Sequence, residues 1–205
     1  MPKPPPFFSF IKNFKPMNNL EKIKRWTEKL DAHEAKFHQL FGGLDSLQLN
    51  WKANPEKWSI GQCIDHLIVI NSLYFPVFEK LAAGEYQPTG WQKWSPFSGM
   101  LGRMLHNSVK PESKRANKTM PVFEPSQSNI PGDILQSFSK MQAELKNHLL
   151  KMQNLDFQKT IISSPANQYI TYSLHDAVNM LVDHEERHLL QAAGVLEQMN
   201  KNGQG

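Results

Sequence analysis

The sequence predicts an all-α protein: a four-helix bundle with a long insertion between its second and third helices. Three observations carry this. Segments near 18–49, 59–83, 131–154 and 173–200 repeat apolar residues at three- and four-residue spacing, the period of one buried helix face. No series of alternating strands is present to build a large sheet. More than forty residues, 86–130, separate the second segment from the third, far beyond an ordinary bundle turn. A chain of 205 residues, 40% hydrophobic, suits one domain at 18–200, with an N-terminal arm at 1–17 and a tail at 201–205.

The first segment carries Leu20, Ile23, Trp26, Leu30, Phe37, Leu40, Phe41, Leu44 and Leu47 on one stripe. Asn18 or Asn19 can cap it, with Glu21 in the first turn, and Gly42-Gly43 can end or kink it. The second begins with a capping box, Ser59 followed three residues later by Gln62. Ile60, Ile64, Leu67, Ile68, Leu73, Phe75, Phe78 and Leu81 continue it, Pro76 should kink it, and Gly84 stops it. In the insertion, Trp91, Trp94, Phe97, Met100, Leu101, Met104 and Leu105 predict packing over one bundle end, with a short helix near 98–106. Residues 107–118 are polar and basic and read as mobile. Pro131 opens the third segment, striped by Ile134, Leu135, Phe138, Met141, Leu145, Leu149 and Met152. Residues 157–162 read as extended. The fourth carries Leu174, Ala177, Val178, Leu181, His184, His188, Ala192 and Val195 on one face.

Composition narrows the function classes. The single Cys63 excludes an internal disulfide and a thiolate metal cluster within one chain. Beside Ile60, Ile64 and Leu67 it reads as a core residue, not a nucleophile. No run approaches the ~18 apolar residues of a membrane span. The Met-Pro-Lys-Pro-Pro-Pro start lacks an export signal, so a cytoplasmic location is expected. Between residues 86 and 121 stand Lys93, Arg103, Lys110, Lys114, Arg115 and Lys118 against Glu112. This Pro- and Gly-punctuated stretch reads as a solvated loop, which argues against a nucleic-acid partner.

The chemistry lies in the histidines. His184 and His188, four apart, share a helix face and lie on its apolar stripe. His184-Glu185-Glu186-Arg187-His188 matches the letters of the zinc-protease helix. No strand-rich lobe precedes it, however, and Glu197 is the sole acid downstream. A third imidazole must come from another helix. His66, two turns into the second, is the natural choice, with His33 a weaker one. Three neutral imidazoles leave a position open on a divalent ion, and nitrogen donors favour zinc, then nickel, over magnesium or calcium. Separately bonded core histidines are the plainer alternative. His38, His106, His148 and His175 read as surface, loop or helix-edge residues.

Trp58-Ser59-Ile60-Gly61-Gln62-Cys63-Ile64-Asp65-His66-Leu67 resembles the first signature of the DinB-like superfamily, also called YfiT-like metal-dependent hydrolases. His184-Glu185-Glu186-Arg187-His188-Leu189-Leu190-Gln191-Ala192 resembles its last-helix signature. The resemblance spans about 20–199, with the basic loop as its main departure. It implies a four-helix bundle holding one divalent ion on His66, His184 and His188. It also implies hydrolysis of a small molecule or thiol-dependent S-transfer, the latter with a low-molecular-weight thiol as cosubstrate; a non-catalytic, stress-related metal- or ligand-binding bundle stands as the alternative. No catalytic base stands out. Asp65, Asp183 and Glu185 adjoin ligand histidines, point about 100° away and read as solvated acids. Gln62 and Gln191 are candidates to orient the imidazoles. Arg103, Lys110, Lys114 and Arg115 could meet carboxylates of a peptide-like thiol. Surplus aromatics at Phe7, Phe8, Phe10, Trp26, Phe37 and Phe41 suggest a homodimer, which the family also allows.

Overall fold

A computed structural model describes residues 18–94, 98–110 and 119–203. The arm, residues 95–97 and 111–118, and the last two residues of the tail lie outside the described residues. The described part is a mostly helical bundle, more segmented than four simple rods.

Helix α1 spans Asn19–Phe41 and starts on a capping box in which the Asn18 side chain accepts from the Glu21 amide at 2.8 Å. It stops at Gly42, and the first segment restarts as α2, Ser46–Asn50, capped by Asp45. This restart resets the helical phase. Leu49 is buried, whereas Leu47 is 85% exposed. Leu20, in the first turn of α1, is also exposed rather than in the core.

Helix α3, Ile60–Ser72, begins on the Ser59–Gln62 capping box, as the spacing predicts. Pro76 breaks the second segment instead of kinking it. A proline lacks the amide needed four residues on and crowds the preceding turn. The chain therefore turns at Leu73-Tyr74 and restarts as α4, Phe75–Ala82, with the proline in its tolerant first turn. Gly84 follows with φ of 72°, a left-handed position that favours glycine.

The insertion contributes α5, Gly90–Trp94, then α6, Ser98–Val109, and a 3-10 turn at Pro121–Phe123. Helix α6 packs against the last helix and the hairpin before it. Residues 107–109 are part of this helix, so the expected mobile stretch is packed at its start.

Helix α7, Ile134–Lys151, starts three residues after Pro131. Strands β1, Ile161–Ser164, and β2, Asn167–Ser173, form an antiparallel hairpin in which Ile162 pairs with Tyr172. Ser173 ends β2 and caps α8, Leu174–Asn202, accepting from the Asp176 amide at 3.0 Å. A buried bond of 2.6 Å between the Tyr74 and Tyr172 hydroxyls ties the hairpin to the α3–α4 turn.

Helices α1 and α3 each pack against both α7 and α8. Phe37, Phe41, Phe78, Phe138, Phe157 and Tyr172 fill the space between them, each contributing about 1.5–3 kcal/mol by burial. Trp26, Phe37 and Phe41 are thus buried within one chain. The aromatic surplus that suggested a dimer is absent from α1, and the arm's phenylalanines lie outside the described residues. No helix among the described residues is long and apolar enough to cross a membrane.

Candidate metal centre

Helix geometry gives three consecutive residues of α8 three different surroundings, because each step turns the side chain by 100°. Asp183 and Arg187, four apart, face α6. His106 Nε2 donates to Asp183 Oδ2 at 2.7 Å, and Lys29 Nζ donates to Asp183 Oδ1 at 3.3 Å. The His106 bond leads in holding the Asp183 carboxyl below its ordinary range. Arg187 donates to the Ser108 carbonyl at 2.8 Å. His184 and His188 face α3, where His66 meets them. His66 Nε2 is 3.5 Å from His184 Nε2, which is 3.0 Å from His188 Nε2. One nitrogen from each of the three rings lies within 4.8 Å of the others.

Glu185 faces the bundle interior and is fully buried. Asn71 on α3 donates to Oε1 and Gln142 on α7 donates to Oε2, both at 2.8 Å. His33 Nδ1 on α1 is 3.5 Å from Oε2. Three of the four long segments therefore each send one polar residue to a single carboxyl group carried by the fourth. Burial raises its pKa, opposed by His33, Gln142 and Asn71.

All three imidazoles are buried. Burial lowers the pKa of His66 to about 4, against the opposing Phe123 carbonyl and the Asp65 charge. His184 and His188 are also held well below the ordinary histidine range, first by burial, then by neighbouring imidazoles and Arg187. The rings are held neutral, so each keeps a lone pair. For His66 its position is fixed: Nδ1–H donates to the Phe123 carbonyl, which leaves the Nε2 lone pair facing the other two rings. Three nitrogens turned toward one another suit a shared cation far better than they suit each other. The cluster can coordinate a divalent metal ion.

Several sequence expectations change here. Asp65, Asp183 and Glu185 are not solvated acids. Asp65 is buried and accepts from the Ser126 amide at 2.5 Å and the Ser126 hydroxyl at 3.1 Å. Asp65 and His66 thus hold the same insertion loop at Ser126 and Phe123. Gln62 is spent on the Ser59 cap, so the Phe123 carbonyl orients His66 in its place. Gln191 lines the cavity beside the rings. His33 is drawn to Glu185 and does not join the trio. His148 is a buried residue, and His106 is a half-buried partner of Asp183. Cys63 is fully buried, which pushes its thiol up to about 12, as suits a core residue. Lys114 and Arg115 lie outside the described residues.

The three rings sit at one wall of a cavity of about 570 Å³. Trp58 stacks on His188 with ring centroids 5.7 Å apart, and its centroid is 4.8 Å from that of His66. Leu105 and Val109 of α6, with Met120 and Phe123 beyond it, form the apolar side. Lys57, Arg187 and Glu56 supply the charge. Trp58 stands beside the capping serine, a hint available in the sequence. A backbone acceptor such as Phe123 leaves no such signal.

Three comparisons with known proteins bear on this geometry. No curated protein matches the chain. The structure of YfiT from Bacillus subtilis, described as a probable metal-dependent hydrolase with an unusual four-helix bundle topology, matches with a TM-score of 0.53. Identity is 17%, over 92% of this chain and 93% of that one, a likeness of fold. The family profile of the DinB superfamily matches residues 29–192. That span holds α3, the first two thirds of α8 and all three histidines, and the chain belongs to the DinB superfamily.

Proposed function

We propose that this protein binds one divalent ion through His66, His184 and His188 and acts on a small molecule held in the adjoining cavity. The convergence of three neutral imidazole nitrogens on one wall of an open cavity carries the reading. Zinc is the preferred ion and nickel the alternative, because neutral imidazoles are borderline donors. When bound, such an ion supplies Lewis acidity toward water or a thiol. The reaction class is hydrolysis or thiol S-transfer, with a low-molecular-weight thiol as cosubstrate in the second case. YfiT's description as a probable metal-dependent hydrolase supports the former.

The chain's own residues supply the rest. The Phe123 carbonyl sets the His66 tautomer. Trp58, Leu105, Val109 and Met120 exclude water from one side of the cavity, and Lys57 and Arg187 offer positive charge to an anionic substrate group. A homodimer is part of the proposal on the family resemblance alone; light scattering at 23.6 kDa over a wide concentration range would remove it.

The test is elemental analysis of tag-free protein loaded with zinc or nickel, beside His66→Ala and His184→Ala. Wild type should retain an ion that each variant loses. Equal metal in all three would overturn the site. A screen of thiols and electrophiles on the loaded protein then separates an enzyme from a non-catalytic binding bundle.

A further inference from the structure

A second cluster lies on the other flank of α7, sharing no residue with the first. Glu144 and His148 are four apart on that helix and so share a face, and α4 packs against it, bringing Glu79 alongside. One ligand atom from each of the three lies within 4.8 Å of the others. The carboxylates are exposed, whereas His148 is only 4% exposed.

His148 is the observation that points to a ligand. Its ring is wedged against Phe75 and Phe78, with centroids 4.9 and 6.2 Å away. Neither ring nitrogen has a hydrogen-bond partner among the described residues. Its Nε2 is 3.8 Å from Glu144 Oε1, beyond hydrogen-bond reach but aimed at the carboxylate. A buried imidazole normally finds a partner. This one is held rigidly by aromatic rings at the edge of an acidic pair.

We propose that Glu79, Glu144 and His148 form a second divalent-cation site, of the zinc class, clamping α4 to α7. The nitrogen is fixed and the two carboxylates sit on flexible stems. Those stems can close the remaining distance to the ~2.0–2.2 Å of zinc–ligand bonds. Two carboxylate charges balance a divalent ion. The imidazole favours zinc over magnesium or calcium, which take oxygen ligands. Water would complete the coordination on the exposed side.

The test uses the full chain without a histidine tag and zinc as the probe, counted by equilibrium dialysis with elemental analysis. Glu79→Gln/Glu144→Gln alters only exposed side chains and should fold, as circular dichroism would check. It should bind one zinc fewer than wild type, and its thermal midpoint should rise less on zinc addition. His148→Phe, which keeps the packing with Phe75 and Phe78, should lose the same ion. His66→Ala should lose a different one and respond to Glu79→Gln/Glu144→Gln by losing another. Equal zinc in wild type and Glu79→Gln/Glu144→Gln would overturn the second site and leave the first untouched. Magnesium in excess should not displace the ion; displacement would also overturn the zinc-class assignment.

Discussion

Glu185 sits beside a candidate ligand yet faces the opposite problem from its neighbour. A fully buried carboxyl group is tolerable because Asn71 and Gln142 donate to it. Replacing it by alanine strands both donors, at about 1–3 kcal/mol each. We therefore expect Glu185→Ala to lose about 3 kcal/mol in urea denaturation, and Glu185→Gln to lose less. A loss below 1 kcal/mol for alanine would show that the carboxyl does not hold the four segments together. Sequence reasoning placed this acid in solvent because it lies 100° from His184. The inference failed because α8 is packed by α1, α3, α6 and β2, so a turn of 100° away from one neighbour meets another. The His184–His188 pair was legible, since its four-residue spacing alone puts both rings on one face, whereas His66 had to be chosen from another helix.

At the scale of elements, the apolar stripes identified the long helices, and the Asn18 and Ser59 caps identified two starts. The breaks after Phe41 and Ser72 depended on how Gly42 and Pro76 were accommodated, and periodicity continues across both. The hairpin was harder to see: residues 157–162 only touch β1, and β2 alternates weakly. Helix α6 was anticipated within a few residues because its apolar spacing is helical. Its docking depends on Gly102. A Cβ there would be 2.7 Å from Asp176 Oδ2 and 3.0 Å from Tyr172 Cβ. The carboxylate can swing aside, but Tyr172 is fixed by its hydroxyl bond to Tyr74. Gly102→Ala should therefore push α6 off the hairpin, with a cost of about 1–3 kcal/mol. It should also loosen the cavity wall formed by Leu105 and Val109 while sparing zinc retention. Protease cleavage within α6 would rise in this variant; unchanged cleavage and stability would contradict the close fit.

Over the whole molecule, the buried imidazoles make metal-free stability depend on pH. His66 titrates near 4 in the fold against 6.5 as its ordinary value. Because the folded pKa is the lower one, its contribution is complete above pH 6.5. It is lost as pH falls from 6.5 toward 4, by about 3 kcal/mol. His184 and His188 shift in the same direction. Glu185, with a raised folded pKa, acts in the opposite sense: burial favours its protonated form, and its contribution is lost as pH rises. Three histidines outweigh one carboxyl, so urea midpoints of metal-free protein should fall steadily between pH 6.5 and 4. A flat profile over that range would contradict neutral buried rings. His66→Gln should show a shallower slope than wild type.

The acceptor that orients His66 is a main-chain carbonyl in the insertion, and it is present whatever side chain residue 123 carries. An alanine scan would pass over it, scoring Phe123 for its ring alone. Side-chain exchange can remodel the neighbouring wall freely while this contact persists, so the chemistry of the pocket can drift under selection without disturbing the three-imidazole cluster. Insertions or deletions between α6 and α7 act differently. They move the carbonyl itself, and the length of that segment, not its spelling, is the heritable variable to which the His66 tautomer answers.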